Sequence, residues 1–295
     1  MNYVRMWKFL REFILDIGND FKGQDIKFIL TNYWGFSGSL ITALKKGDCI
    51  LLNGKKEFVT KVVSPGDVLK ITLPQANSDN IVPNDIPLSI LYEDEDILVV
   101  NKPANMPTHP SIGHYEGTLA NGVMHYFRDI PFTFRAVTRL DRDTSGVVLI
   151  AKHIVSADKL SKSLICGELT KEYMAVCVGV PSPPKGTIDA PIRREAEGII
   201  KRCIKEDGKP SLTEYEVIEE KCGLSIVKLH PKTGRTHQLR LHLSHIGTPI
   251  LGDFLYGEEI SGERTRLHCH TLCFPHPFTG KAMKITAPLP EDMIL

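Results

Sequence analysis

Arg139-Leu140-Asp141-Arg142-Asp143-Thr144-Ser145-Gly146 runs without a break into Val147-Val148-Leu149-Ile150-Ala151. Five apolar residues behind a polar, turn-forming run predict a strand with a tight loop in front of it. The loop presents two carboxylates, Asp141 and Asp143, backed by the small hydrogen-bonding residues Thr144, Ser145 and Gly146. Such backing suits a carboxylate that must be held in one orientation, because a mobile nucleophile loses the advantage of proximity. By composition alone an Asp in such a loop is more often a turn residue, and residue type does not separate Asp141 from Asp143.

A second run, Gly234-Arg235-Thr236-His237-Gln238-Leu239-Arg240, opens a predicted helix that begins near Thr236, buries Leu239, Leu243 and Ile246, and stops at Gly247. Arg240 lies off that apolar stripe. The helical pattern by itself would make it a surface residue.

Outward from these runs, Ile97 to Val100, Tyr173 to Val180, Leu212 to Val217, Ser225 to His230 and Met283 to Thr286 also read as strands. Two further helices are predicted. Thr118 caps one bearing Leu119, Val123, Tyr126 and Phe127, and Ser156 caps another bearing Ala157, Leu160 and Leu164, stopped by Gly167. Many strands with few helices give an α+β domain on a largely antiparallel mixed sheet, expected over 88–295. At 295 residues the chain exceeds the usual single-domain size. Pro74 to Pro87, rich in Asn, Asp, Ser and proline, reads as a linker over 75–87. Before it, 1–74 reads as a small module whose second half runs helix, Gly47, the strand Cys49 to Leu52, an Asn53-Gly54 turn, Gly66-Asp67 and the strand Val68 to Leu73.

The formal net charge of +1 excludes a uniformly basic nucleic-acid binder but not local fields. Lys221 to His245 carries Lys221, Lys228, Lys232, Arg235 and Arg240 with no acidic residue, whereas Gln75 to Val100 carries Asp79, Asp85, Glu93, Asp94, Glu95 and Asp96 with no Lys or Arg. Seven cysteines without regular spacing fit reduced thiols better than a disulfide framework. No segment approaches a membrane span, and Arg5, Lys8, Arg11, Glu12 and Asp16 interrupt the apolar N-terminus too often for a signal-peptide core. A cytoplasmic monomer is expected.

Together the two runs resemble the pseudouridine synthases of the RluA type, whose hallmark is Arg-Leu-Asp followed two residues later by Thr-Ser-Gly. Here Arg139-Leu140-Asp141 and Thr144-Ser145-Gly146 fill all six positions. The resemblance spans about Leu88 to Leu289 and implies the pseudouridine synthase catalytic fold. It further implies isomerisation of specific uridines in structured RNA, with no cofactor and no metal. By position, Asp141 becomes the nucleophile and Arg240 its arginine partner, which would hold the carboxylate ionised. Arg139 belongs to the loop that contacts RNA and fills the space of the extruded base. Tyr173, in Lys171-Glu172-Tyr173-Met174-Ala175, is the ring that stacks on that base, with its hydroxyl a candidate proton acceptor. Leu272, in Leu267-His268-Cys269-His270-Thr271-Leu272, is an aliphatic wall of the uracil pocket. Lys228, Lys232 and Arg235 are candidates for gripping the RNA backbone.

Asn101-Lys102-Pro103 with Met106-Pro107-Thr108-His109-Pro110, and Lys209 to Thr213 with Ser211 in place of alanine, match the family in the same order. Thr138 stands where a histidine commonly precedes Arg139. The N-terminal module resembles the alpha-L RNA-binding motif of a small-subunit ribosomal protein, although Phe28 to Leu44 offers Tyr33, Trp34 and Phe36 but no Lys or Arg. Large-subunit ribosomal RNA is the expected substrate, with transfer RNA as the alternative.

Other classes compete. A glycoside hydrolase needs a second carboxylate facing Asp141, and a non-catalytic RNA-binding or ribosome-assembly factor would show an eroded site, which the set Asp141, Tyr173 and Arg240 argues against. His268, Cys269, His270, Cys273 and His276 suggest zinc, but alternate side chains of a strand face opposite ways. Ser156-x-x-Lys159, Ser78-Asp79-Asn80 and Lys232-Thr233-Gly234 mimic the signatures of serine β-lactamases, in the wrong order.

Overall fold

The computed structural model describes residues 13–73, 78, 80–111, 113–258, 260 and 263–295. Most of the apolar N-terminal stretch weighed as a signal peptide, residues 74–77 and 79 of the expected linker, and with them part of the Ser78-Asp79-Asn80 signature lie outside the described residues.

In chain order the N-terminal module contains β1 (Phe13–Asp16), α1 (Ile26–Phe28, which widens into a π-type turn over Ile29–Tyr33), α2 (Gly38–Lys46), β2 (Ile50–Leu52), β3 (Lys55–Lys56) and β4 (Val68–Ile71). The strands pair antiparallel in the order β1-β4-β2-β3. Asn53 and Gly54 both take positive φ, 54° and 76°, the geometry that lets a two-residue turn join β2 and β3. Ser37 caps α2 by accepting the Leu40 N–H, and Ile26, Ile29, Leu30, Leu40, Leu44, Leu69 and Ile71 fill a core of the module's own.

The larger domain runs β5 (Ser89–Glu93), β6 (Ile97–Lys102), α3 (Leu119–Tyr126), β7 (Ser145–Ala151), α4 (Ile154–Ile165), β8 (Thr170–Val178), β9 (Lys185–Asp189), β10 (Ile192–Arg194), β11 (Arg202–Ile204), β12 (Leu212–Lys221), β13 (Leu224–Pro231), α5 (Gln238–His245), β14 (Leu267–Pro275) and β15 (Ala282–Thr286). Its main sheet has the order β5-β6-β7-β14-β8-β13-β12-β9, with β15 on β14. Every ladder is antiparallel except β7 on β14. This is the α+β, largely antiparallel mixed sheet expected from the sequence. Val147 to Ala151 are fully buried in β7, and a strand with no exposed residue needs cover on both faces, which puts it inside the sheet. Each aliphatic side chain buried there contributes roughly 1.5–3 kcal/mol.

Thr118 caps α3 as expected, accepting from Asn121 N. The cap of α4 is His153, not Ser156: its Nδ1 accepts the Ser156 N–H at 3.3 Å, so the helix starts earlier than the apolar stripe suggested. Strands β5, β9, β10 and β11 escaped the sequence reading because they are short, polar or interrupted by Gly186, and periodicity needs length to register.

The module packs on α4 and on the β14–β15 turn. The Phe13 ring lies 5.4 Å from that of Phe278, Val155 of α4 enters the module core, Ser37 N–H and hydroxyl both donate to Asp158, and Lys162 Nζ donates to Gly35 O. The described part of the expected linker is bonded to the larger domain, through Ser78 N to Phe132 O and Asn121 Nδ2 to Val82 O. Among the described residues no helix is long and apolar enough to cross a membrane.

Candidate active site

The loop ahead of β7 is held from several directions. Thr144 N donates to Asp141 O, closing its turn. Thr108 Oγ1 donates to Leu140 O at 2.8 Å and accepts from Leu140 N at 3.2 Å. The Lys102 ammonium, fully buried, donates to the carbonyls of Pro103, Met106 and Arg142 at 2.8, 2.7 and 3.1 Å. Behind the loop, Ser145 Oγ and His268 Nδ1 share a hydrogen bond of 2.8 Å. Gly146 has φ +114°, and a Cβ there would collide with the Cys269 carbonyl, so only glycine lets β7 approach β14 this closely. Thr138, at the position where the resemblance led one to look for histidine, accepts the Leu149 N–H through Oγ1.

This anchoring separates the two carboxylates. Asp143 is buried and accepts from Arg142 Nε at 2.8 Å. Asp141 is partly exposed and opens into a cleft of about 610 Å³ formed by its own loop, the end of α4, the start of β8, residues 231–240 and Leu267. Among the described residues lining that cleft, Asp141 is the sole carboxylate, which leaves a two-carboxylate hydrolase without its second acid.

Tyr173 rises from β8 into the cleft wall. Burial pushes its phenol well above the usual pKa, and the neighbouring Cys269 and Asp141 push the same way, so the hydroxyl stays protonated as a donor. Arg240 also lines the cleft, but the expected pairing with Asp141 is not the bond that holds it. Its Nε and Nη2 grip both oxygens of Asp253 at 2.7 and 2.6 Å, with the guanidinium over the rings of Phe254 and Tyr256. Both partners are buried, and Asp253 also accepts from Leu255 N and Tyr256 N. Burial works against the arginine's charge, but the Asp253 bonds outweigh it, and Asp141 adds a longer-range attraction. Arg240 therefore faces Asp141 as a fixed, already neutralised charge. Asp253 carries no local pattern that could have flagged it.

The loop before α5 explains that helix's late start. His237 sits in the left-handed region at φ 57°, its Nδ1 bonded to Tyr256 Oη at 2.9 Å, and burial holds its imidazole below the usual pKa. Gln238 Oε1 accepts from Thr233 Oγ1 and Arg235 N while its Nε2 donates to Leu212 O and Thr213 Oγ1, so one buried amide shapes the loop.

Of the remaining expected residues, Arg139 and Arg235 are exposed at the rim and line the cleft, as does Lys232, which pairs with Glu214 at 2.8 Å. Lys228 does not line it. It alternates with the core residues Val227 and Leu229, faces the far side of the sheet with Ile226, and lies 3.6 Å from Glu216. Leu272 is fully buried in the core and Leu267 lines the cleft instead. A register shift between Cys269 and Thr271 puts Leu267 and Leu272 on one face, but several residues apart along the strand. Lys171 and Leu267 are cleft residues that the sequence quoted within its motifs without singling out.

A model of the RNA pseudouridylate synthase family matches residues 96–245. The chain is similar to the uncharacterized RNA pseudouridine synthase YjbO of Bacillus subtilis (strain 168), with 40% identity over 88% of this chain and 93% of the relative. It is similar to ribosomal large subunit pseudouridine synthase D of Escherichia coli (strain K12), with 36% identity over 83% of this chain and 80% of the relative. Among solved structures it resembles human RNA pseudouridylate synthase domain containing 1, at a TM-score of 0.58 and 33% identity, over 70% of this chain and 84% of that one.

Proposed function

The chain belongs to the RNA pseudouridylate synthase family, and from that premise we propose that it converts uridine to pseudouridine in large-subunit ribosomal RNA, with Asp141 as nucleophile. The observation that carries the residue assignment is the cleft itself, in which the sole carboxylate among its described residues sits on an anchored loop between Tyr173 and Arg240. The ribosomal target is supported by the relatives named for large-subunit RNA, which align over most of the chain.

A stacked uridine cannot enter this cleft, so it must first be flipped out. Arg139 on one rim and Lys232 and Arg235 on the other take the phosphates of the displaced strand. The C1′–N1 bond then breaks, its electron pair staying on the uracil while positive charge develops on the sugar. Asp141 answers that charge either by capturing C1′ as an ester or by taking the C2′ proton to leave a glycal. The uracil, stacked on Tyr173 and walled by Leu267, turns until C5 faces C1′. Forming the C5–C1′ bond releases Asp141 from the ester, or on the glycal route returns its proton to C2′; the C5 proton is then lost and N1 gains one, so the product is an isomer of the substrate. The acting unit proposed is a cytoplasmic monomer.

The test is pseudouridine mapping of ribosomal and transfer RNA from cells lacking the gene, complemented with wild type or Asp141→Asn. Wild type should restore defined large-subunit sites and Asp141→Asn none. Restoration confined to transfer RNA would overturn the target, and restoration by Asp141→Asn would overturn the nucleophile.

A further inference from the structure

We infer that Lys171 contacts the substrate, its ammonium binding a carbonyl oxygen of the extruded uracil and stabilising the negative charge gathered there as the glycosidic bond breaks. The inference rests on the reaction proposed above.

Lys171 precedes Tyr173 by two residues on β8, so both side chains leave the same face of the strand, and both line the cleft. Residues so spaced are roughly 7 Å apart. A base lying on the Tyr173 ring is therefore within reach of a four-carbon side chain.

The ammonium is also unsatisfied. Two other lysines drawn into the larger domain are paired: Lys102 has three carbonyls, and Lys152 has Glu93 and the Asp94 carbonyl. Lys171 is partly buried in the cleft wall, and its ammonium has no acceptor and no carboxylate partner among the described residues. The Cys269 thiol is a titratable neighbour, and Asp141 does not pair with it. An ammonium that opens on the cleft without a protein acceptor is available to an acceptor on a ligand.

Position decides between a base and a phosphate. The rim cations Arg139, Lys232 and Arg235 are exposed and suit a backbone that stays in water. Lys171 instead lies inward, in a wall shared with Leu169, Tyr173 and Leu267, where a flat, largely uncharged ring fits better than a hydrated phosphate. As C1′–N1 breaks, the electron pair on N1 spreads over the two uracil carbonyl oxygens. A fixed cation beside one of them binds the transition state more strongly than the ground state, which is the condition for raising the rate.

The experiment compares wild type, Lys171→Met and Lys171→Arg in single turnover, with enzyme saturating, on an unmodified transcript of Bacillus subtilis large-subunit ribosomal RNA. Affinity for the same transcript is titrated against salt. The Met variant should react about 100-fold more slowly at saturation or worse. Its Kd should stay within about twofold and its salt slope unchanged, because no phosphate contact is lost. The Arg variant should recover part of the rate.

A Met variant as fast as wild type overturns the inference. So does one whose saturated rate is normal while its salt slope falls by about one, the mark of a phosphate contact. A second measurement needs no variant: transcripts with 2-thiouridine or 4-thiouridine at the target site replace each carbonyl oxygen by a poorer acceptor. One of them should slow wild type by about tenfold, and equal rates for both and for uridine would refute the contact. If wild type forms no pseudouridine on this RNA, it is the proposed function that fails.

Discussion

Lys102 ends in a closed shell of three carbonyl oxygens with no exposed surface, and one of those oxygens belongs to Arg142 in the Asp141 loop. Burial lowers its pKa from the ordinary 10.5 to about 7, a fall limited by the nearby carboxylates of Asp143 and Asp141. Between those two values the unfolded chain keeps a proton on this lysine that the folded chain has lost. The folded state is then favoured progressively as pH rises through the window. Urea unfolding at about pH 7 and about pH 10 should therefore show wild type gaining stability relative to Lys102→Met, by the slope of one proton. Parallel pH profiles would show that the ammonium is not the titrating group. At the same scale, Arg240 and Asp253 form a pair in which losing either partner strands a buried charge, at a cost of about 3–5 kcal/mol.

At the scale of elements, the site depends on the one parallel contact in the main sheet. Strands β7 and β14 meet at Ser145 with His268 and at Gly146 with Cys269, directly behind the Asp141 loop. Gly146→Ala would force its backbone out of φ +114° or drive the strands apart. It should destabilise the fold by about 1–3 kcal/mol, the range for local backbone strain. It should also slow pseudouridine formation, since the loop shifts with the strand. Denaturant unfolding and single-turnover rates on one preparation check both, and a variant with wild-type stability and rate would mean the sheet yields more easily than its packing suggests.

For the whole molecule, two apolar cores are joined through α4, which gives Val155 to the N-terminal module and Leu160 to the larger domain. Asp158 is the polar lock on that joint, accepting the Ser37 N–H and hydroxyl together. Asp158→Ala leaves those donors without their acceptor but leaves the apolar contacts of Phe13 and Val155 in place. The module should loosen before the larger domain does. Limited proteolysis is expected to cut within residues 13–73 several-fold faster in the variant, by an opening free energy of about 1–2 kcal/mol, with the larger domain left intact. Equal cleavage rates would show that the aromatic contacts alone hold the module.

By itself the sequence determined the α+β class, the central buried strand, the cap of α3 and the family. These features are written in contiguous residues, where a period, a turn or a hexapeptide signature expresses local physics. Tertiary structure decided what surrounds the Asp141 carboxylate. The bonds that hold its loop come from Lys102, 40 residues before Arg142, and Thr108, 32 residues before Leu140. Asp253, which holds Arg240, sits in an irregular segment where no period points to it. Leu267 replaces Leu272 in the wall because the two share a face of β14 at different depths. Lys228 lies behind the sheet because alternation along β13 is anchored by the core residues on either side of it. In each case the deciding quantity is which side chains meet across strands or loops far apart in the chain, and a linear order of residues carries that only through the fold.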